Sequence, residues 1–419
     1  MSLTMNEVPI WNRRRARQPG PWRVLLADQR KSLFHLVRDG RIEVQLSFDP
    51  ERPPHLIVVP CPKLSSAFDE SVRDLPPEAF AGAAVALEAT GKGTEPSVEF
   101  MHCVQDFLAA RGVPEERCAF VANNRRAVLP GSAIRILHYD YWLRRMFKDH
   151  LKRGIAEFEL RQAHFRARGR HRPRRFLSFN MTPRPAKLLF LLSLLRDGLW
   201  DDGHISFGGF AHVDRPMGET SGQIAARLLQ TPGFEGLASD LVRFLPALDA
   251  KGKVLFGKIP HTAEGVIRKA TDAVRVEEFD LTWFSATTET EMSGTKDYVT
   301  EKPFKALLNF HPQVIFGNPG ALERLQSFGF QSFSPWIDES YDQEADPRRR
   351  FELVYAEVRR LCAADEAEMP RLEQGLSEVL VANARWGLVE LPQQYRRVWD
   401  PELVGKLLAL SPAASELPI

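Results

Sequence analysis

The sequence predicts an α/β protein of two domains with parallel sheets and a helical C-terminal segment. Three observations predict it. The chain has 419 residues, enough for two or three domains at roughly 100–200 residues each. Short apolar runs of strand character alternate with longer helical patterns, which argues for parallel strands joined by crossover helices. Hydrophobic residues make up 44% and charged residues 26%, an ordinary globular balance that excludes global disorder, collagen and a fibrous coiled coil.

Residues 1–20 are polar and Arg-rich with no apolar stretch behind them, so they read as a disordered tail and not a secretory signal. Trp22–Asp28 opens the first strand-like run, and Leu56–Pro60 and Ala119–Ala122 give two more. Phe80–Leu87 and Val104–Ala110 read as helices. Together these predict a first α/β domain over 21–155.

The segment 156–175 carries seven arginines, Arg161, Arg166, Arg168, Arg170, Arg172, Arg174 and Arg175. It reads as a solvated linker between domains or a helix end, or alternatively as a contact for an anion, an acidic glycan or a membrane surface. RNA is the least supported partner, since few aromatics interleave and no RNA-binding pattern is present.

A second α/β domain is predicted over 176–345. Arg175–Asn180 reads as a strand, Met181–Pro185 as a Pro-rich turn and Ala186–Asp197 as a helix stopped by Gly198. Residues 203–260 give no clear pattern. Phe279–Ser285 and Gln313–Phe316 read as strands, and Thr300–Phe310 and Gly320–Phe328 as helices. The remainder, 346–419, reads as helices packing back on the domains.

Several classes are excluded. A net charge of +2 is too balanced for a surface that is wholly a nucleic-acid footprint. Cys61, Cys103, Cys118 and Cys362 are scattered without close pairs, which fits free thiols in a reducing cytosol. The longest apolar run, Leu188–Leu195, falls short of the roughly 20 residues of a membrane span. The expected location is therefore cytoplasmic, with peripheral contact at the inner membrane face as an option. No P-loop, dinucleotide fingerprint, nucleophile elbow or H-E-x-x-H is present. No two aspartates stand as D-x-D, the pair that commonly holds a divalent ion on a diphosphate; if the substrate is a nucleotide sugar, a metal-independent mechanism is the expectation, with no cofactor.

The informative stretch runs from Phe284 to Asp342. Thr300 is a candidate N-cap with Pro303 in the first turn, and Asn318 is a second with Pro319 behind it and Gly329 past the end. Lys302 in a helix's first turn is unfavourable by roughly 0.3–1 kcal/mol unless an anion binds there. Gly317-Asn318-Pro319-Gly320 follows an apolar strand, at the strand end where parallel sheets bind ligands. These two corners predict a shared pocket for a diphosphate; a surface Glu-Lys pair and an ordinary strand-to-helix turn are the plainer readings. Arg184 and Lys187, after the strand ending at Asn180, are further phosphate-binding candidates or simply exposed loop cations. The acidic run Ile337–Asp342 reads as the start of the next helix or as a contact for sugar hydroxyls. His138-Tyr139-Asp140-Tyr141-Trp142 reads as half-buried core aromatics or as a saccharide site.

Asp297-Tyr298-Val299-Thr300-Glu301-Lys302 resembles the D-Y-(I/V)-T-E-K motif of the α1,3-fucosyltransferases. More broadly the stretch resembles bacterial and phage glycosyltransferases. Phe284–Thr290 is similar to the family's segment ending F-E-N-S, with Glu289 on its glutamate, and His311–Gly317 is similar to the strand after the motif helix. The resemblance implies a GT-B fold of two Rossmann-like domains, with the nucleotide sugar held mainly by the second. It implies Glu301 on the ribose and Lys302 on the diphosphate. Lys305 stands where the family has arginine, Ala306 where it has asparagine, and Thr290 in place of the N of F-E-N-S. The first half of the chain carries no such resemblance.

The expected function is a metal-independent glycosyltransferase that moves a sugar, GDP-fucose-like or other, to a glycan, lipid-linked saccharide or protein. The donor-binding candidates are Asn180, Arg184, Lys187, Glu289, Tyr298, Thr300, Glu301, Lys302, Lys305, Gly317, Asn318 and Gly320. Asp28 and Asp140 are the candidate general bases. The alternatives are another phosphate-handling transferase, or a non-catalytic polyanion- or polysaccharide-binding protein that uses the arginine run.

Overall fold

The computed structural model describes residues 22–26, 42–61, 75–89, 96–146, 154–169, 171–210, 217–254, 256, 276–292, 294 and 296–412. The N-terminal tail and Asp28 lie outside the described residues. The architecture is α/β, with two sheets of parallel strands flanked by helices.

The first sheet holds β1 (Trp22–Leu26), β2 (Ile42–Gln45), β3 (Leu56–Pro60), β4 (Ala84–Ala89), β5 (Cys118–Ala122) and β6 (Arg135–His138). Its order is β2-β1-β3-β4-β5-β6, with Leu56 beside Ala84 and Ala86 beside Ala119 in register. The central strands β3, β4 and β5 are buried along their whole length. That is why they are continuous apolar runs without alternation. The Phe80–Leu87 expectation is corrected here: Pro77–Phe80 is a 3-10 turn and Ala84–Ala89 is β4. Its alanines favour a helix locally, but burial on both faces of a central strand outweighs that preference. α1 (Val98–Ala109) starts earlier than expected because Ser97 caps it, accepting the Phe100 N–H at 3.1 Å.

α2 (Tyr141–Met146) and α3 (Gly154–Ala167) lead out of this domain. α3 takes up the first part of the arginine run, whose side chains are not all solvated. Arg161 bonds to Glu157 and Asn309. Arg168 pairs with Asp280 and donates to the carbonyls of Asn309 and Phe310. Arg172 pairs with Glu373, donates to the Thr282 carbonyl and lies 4.2 Å from the Trp283 ring. Three of the seven arginines thus fasten this segment to the second domain. Arg166 and Arg174 remain exposed.

The second sheet holds β7 (Phe176–Asn180), β8 (Gly203–Phe207), β9 (Phe284–Thr288) and β10 (Gln313–Phe316), in the order β10-β9-β7-β8. α4 (Pro185–Arg196) connects β7 to β8 and is apolar all round because it is buried all round. The region the sequence left unread holds α5 (Ser221–Leu229), α6 (Glu235–Leu241) and α7 (Leu245–Ala250); Thr220 and Gln223 form a capping box at the start of α5. α8 (Val276–Asp280) contains Phe279, so β9 begins later than expected. α9 (Lys302–Leu307) and α10 (Ala321–Ser327) flank β10.

The chain ends in helices: α11 (Pro347–Ala363), α12 (Glu368–Arg385), α13 (Leu391–Gln394) and α14 (Asp400–Leu408). Two π-helical turns, Trp386–Glu390 and Tyr395–Trp399, interrupt the last three. α14 returns to the first domain and packs against β4. One face of the first sheet therefore joins the main core with the C-terminal helices, and its other face packs on α1. No described helix is long and apolar enough to cross a membrane.

Candidate functional site

The carboxyl ends of the four second-sheet strands converge. β7 ends at Asn180, fully buried, whose side-chain oxygen accepts the Thr288 hydroxyl at 2.8 Å and whose amide donates to Ser178 at 2.9 Å. β8 runs into Gly208, where an added Cβ would sit 1.8 Å from the Met181 carbonyl oxygen, so no other residue fits without moving that loop. β9 ends at Glu289. Its N–H donates to the Phe316 carbonyl of β10 at 2.8 Å. Its carboxylate accepts the Thr300 N–H at 2.8 Å and the Thr300 hydroxyl at 2.6 Å. Glu289 thereby ties the ends of β9 and β10 to the loop entering α9.

Lys302 folds inward over this corner. Its ammonium donates to the Thr300 hydroxyl at 2.8 Å and lies 3.6 Å from carboxylate oxygens of both Glu289 and Glu301. Burial works against its charge, but Glu301 and Glu289 outweigh burial and raise its pKa. Burial pushes the Glu301 carboxyl up, and Lys302 and Lys305 more than reverse this and hold it low. Lys305 is buried with its ammonium 5.5 Å from the centre of the Phe179 ring.

Lys187, 4% exposed in the first turn of α4, is different. Its ammonium makes one long contact, 3.5 Å to the Phe179 carbonyl. Burial, reinforced by the nearby Lys302 and opposed by Glu301 and Glu289, pushes it down to about 7. Arg184, just before α4, makes no side-chain hydrogen bond or ion pair among the described residues. Tyr298 is buried in the same corner, and burial with the Glu289 charge pushes its phenol up.

Two expected features take another form. Thr300 does not cap α9: the helix starts at Lys302 after Glu301, and the Thr300 hydroxyl serves Glu289. Asn318 does not cap α10 either. Its side-chain oxygen accepts the Gly294 N–H at 3.0 Å, and the cap position falls on Gly320, whose φ of 78° favours glycine. The open N–H groups of α10 are taken by Asp342, whose carboxylate accepts from Leu322 at 2.9 Å and Glu323 at 3.0 Å. The protein's own carboxylate fills the second corner, so the shared two-corner pocket reduces to one corner. Gly317 borders it: a Cβ there would lie 3.5 Å from Glu289. Asp342 was legible as acidic but not as the partner of a helix 20 residues upstream.

The first domain reaches this corner through the loop after β5. Asn124 accepts the Asp297 N–H at 2.9 Å, the Arg125 N–H donates to the Asp297 carbonyl at 3.0 Å, and Arg126 donates to the Gly294 carbonyl at 2.8 Å. Asp297 leads directly into Tyr298. Beside it, after β6, stands Asp140, in an ion pair with Arg324 of α10. Burial pushes the Asp140 carboxyl up to about 7, opposed by Arg125 and helped by Asp297. A cleft of about 250 Å³ opens here between the end of β6 and the C-terminal helices. His138 falls in the segment read as core aromatics or a saccharide site, and Asp297 opens the motif; Arg125 was missed, because nothing local in the sequence marks a loop that docks on another domain.

Among the described residues, no three His, Cys, Asp or Glu side chains gather as metal ligands would. No family model, curated protein or solved structure matches the chain.

Proposed function

We propose that this chain is a glycosyltransferase with a GT-B-like division of labour. It would move a sugar from a nucleotide-diphosphate donor to a hydroxyl of a glycan, lipid-linked saccharide or protein, without a metal. One observation carries the reading. Lys187, buried, and Lys302, half-buried, lie in one corner at the carboxyl end of a parallel sheet, and among the described residues Lys187 makes no ion pair, Glu301 and Glu289 acting on it only from a distance. A buried ammonium held by one long contact is costly, and a diphosphate is the anion such a corner suits. The fucosyltransferase-like motif ends on Lys302.

In this reading Lys302, Lys187 and Arg184 stabilise the negative charge that builds on the departing nucleotide diphosphate. Donors of this kind are typically worth about 3–4 kcal/mol each. Glu301 meets the ribose hydroxyls, and Tyr298, Glu289 and Thr300 hold the corner in shape. Asp140, across the segment 294–297, takes the proton from the acceptor hydroxyl, a task suited to a carboxyl whose pKa burial has raised.

The polyanion-binding alternative is weakened, because Arg161, Arg168 and Arg172 are engaged within the protein. Another phosphate-handling transferase on the same frame differs in its donor. A thermal-shift screen separates the readings. A nucleotide sugar at 100 times its dissociation constant stabilises by about 2.7 kcal/mol. The reading requires a nucleotide-sugar response that Glu301→Gln abolishes. A response only to polyanions, unchanged by that variant, would defeat it.

A further inference from the structure

We propose that the cleft between the end of β6 and the C-terminal helices is a saccharide site, holding the sugar ring that presents the acceptor hydroxyl to Asp140. This deepens the glycosyltransferase reading and rests on it for the role of the bound sugar. Three separate features of the cleft carry the assignment.

The first is its lining. Trp399, half-buried, closes one wall, with its ring held nearly perpendicular to Tyr395 at 4.4 Å and tilted against Phe328 at 6.4 Å. Arg125, His138 and Asp140 face it from the first domain, and Glu402 from α14. An aromatic platform suits the C–H face of a pyranose, and carboxylate, imidazole and guanidinium groups suit its hydroxyls. The volume, about 250 Å³, lies just under the ~300–1,000 Å³ of ordinary small-molecule sites, which fits a terminal sugar better than a whole nucleotide.

The second is the support beneath Asp140. Arg324, 3% exposed, engages Asp140, while its Nε and its other terminal nitrogen are buried without a partner among the described residues. Unpaired buried donors are costly, so this guanidinium is retained at a cost in stability beside the carboxylate it fixes. It holds Asp140 in one orientation toward the cleft.

The third is position. Asp297 bonds to Asn124 and Arg125, which line or adjoin the cleft, and the next residues are Tyr298 to Lys302. The saccharide site and the lysine corner are thus neighbours across one short segment, as two substrates of a transfer must be. The C-terminal helices matter here because they supply Trp399 and Glu402, so the wall of the site comes from the segment that straps the two domains together.

The test uses the full chain and a panel of methyl glycosides: neutral hexosides, 6-deoxyhexosides and hexuronides. Binding is read by saturation-transfer NMR and by titration calorimetry. At least one glycoside should bind, and Trp399→Ala should weaken it by about tenfold, the loss of one stacked ring. Calorimetric binding of GDP or UDP should be unchanged in that variant. Because Trp399 also packs on Tyr395, Arg125→Ala, an exposed position on the cleft, is the second variant and should weaken the same glycoside. The proposal is overturned if no glycoside binds while GDP or UDP does. It is overturned equally if glycoside binding is the same in wild type and both variants. Glycoside binding lost in these variants, with no nucleotide binding at all, keeps the saccharide site and removes the donor reading instead.

Discussion

Arg144 of α2 and Asp400 of α14, 256 residues apart, form a buried ion pair: 2.9 Å from a terminal guanidinium nitrogen to the carboxylate, with the Tyr139 hydroxyl donating to the same carboxylate at 2.6 Å. Their side chains are 1% and 0% exposed. This pair fastens the C-terminal helices to the first domain, beside the cleft that holds Trp399. Removing Asp400 takes away the carboxylate that both Arg144 and Tyr139 engage, a loss of roughly 3–5 kcal/mol for breaking a buried pair. Asp400→Ala should lower the urea midpoint accordingly. A variant as stable as wild type would mean the strap contributes nothing.

Lys187 makes stability depend on pH in a defined direction. Its folded pKa, about 7, lies below the ordinary lysine value of 10.5, so between these values the unfolded chain binds more protons. Stability therefore rises with pH across that window, by up to about 1.4 kcal/mol per pH unit, and the penalty is fully present below it. Lys187→Met should be more stable than wild type at pH 6, with the gap narrowing toward pH 9. Melting curves of both proteins at several pH values read this out; a gap that does not change with pH contradicts it.

Two glycines should respond oppositely to alanine. At Gly208 the new methyl collides with the Met181 carbonyl, so Gly208→Ala should lose at least about 1–3 kcal/mol and disturb the loop beside Asn180. At Gly405, exposed in α14, a Cβ meets nothing within 4 Å, and Gly405→Ala should gain roughly 0.5–1 kcal/mol. Denaturant titration of the two variants checks both signs.

Glu289 is predicted to be structural and functional together. Glu289→Ala frees the Thr300 N–H and hydroxyl and removes one of the two carboxylates beside Lys302. Leaving such buried groups unpaired costs about 1–3 kcal/mol, and nucleotide affinity should fall with it. Full affinity in a destabilised Glu289→Ala protein would separate the corner's shape from its function.

How much of this was legible in the sequence depends on whether a feature is local. β3 and β10 were readable because a buried parallel strand is a short unbroken apolar run. The helix of Pro185–Arg196 was readable from its proline at the start and Gly198 at the end. β4 was not, since AVALEA is helical by local preference and a strand only by where it is buried. The lysine corner was found through its motif. The filling of α10's N-terminus by Asp342, the docking of Asn124 on Asp297 and the pairing of Asp140 with Arg324 join residues far apart in sequence, and no spacing pattern announces them.

The central claim is that the corner built by Lys302, Glu301 and Lys187 binds a nucleoside diphosphate. Titration calorimetry of GDP, UDP and the matching monophosphates against wild type and Lys302→Met tests it most directly. The account predicts that one diphosphate binds, that its monophosphate binds far more weakly, and that Lys302→Met loses about two orders of magnitude in affinity, as expected for one charge-assisted donor to a phosphate. Equal binding of diphosphate and monophosphate, or affinity unaltered in a folded Lys302→Met protein, would contradict it.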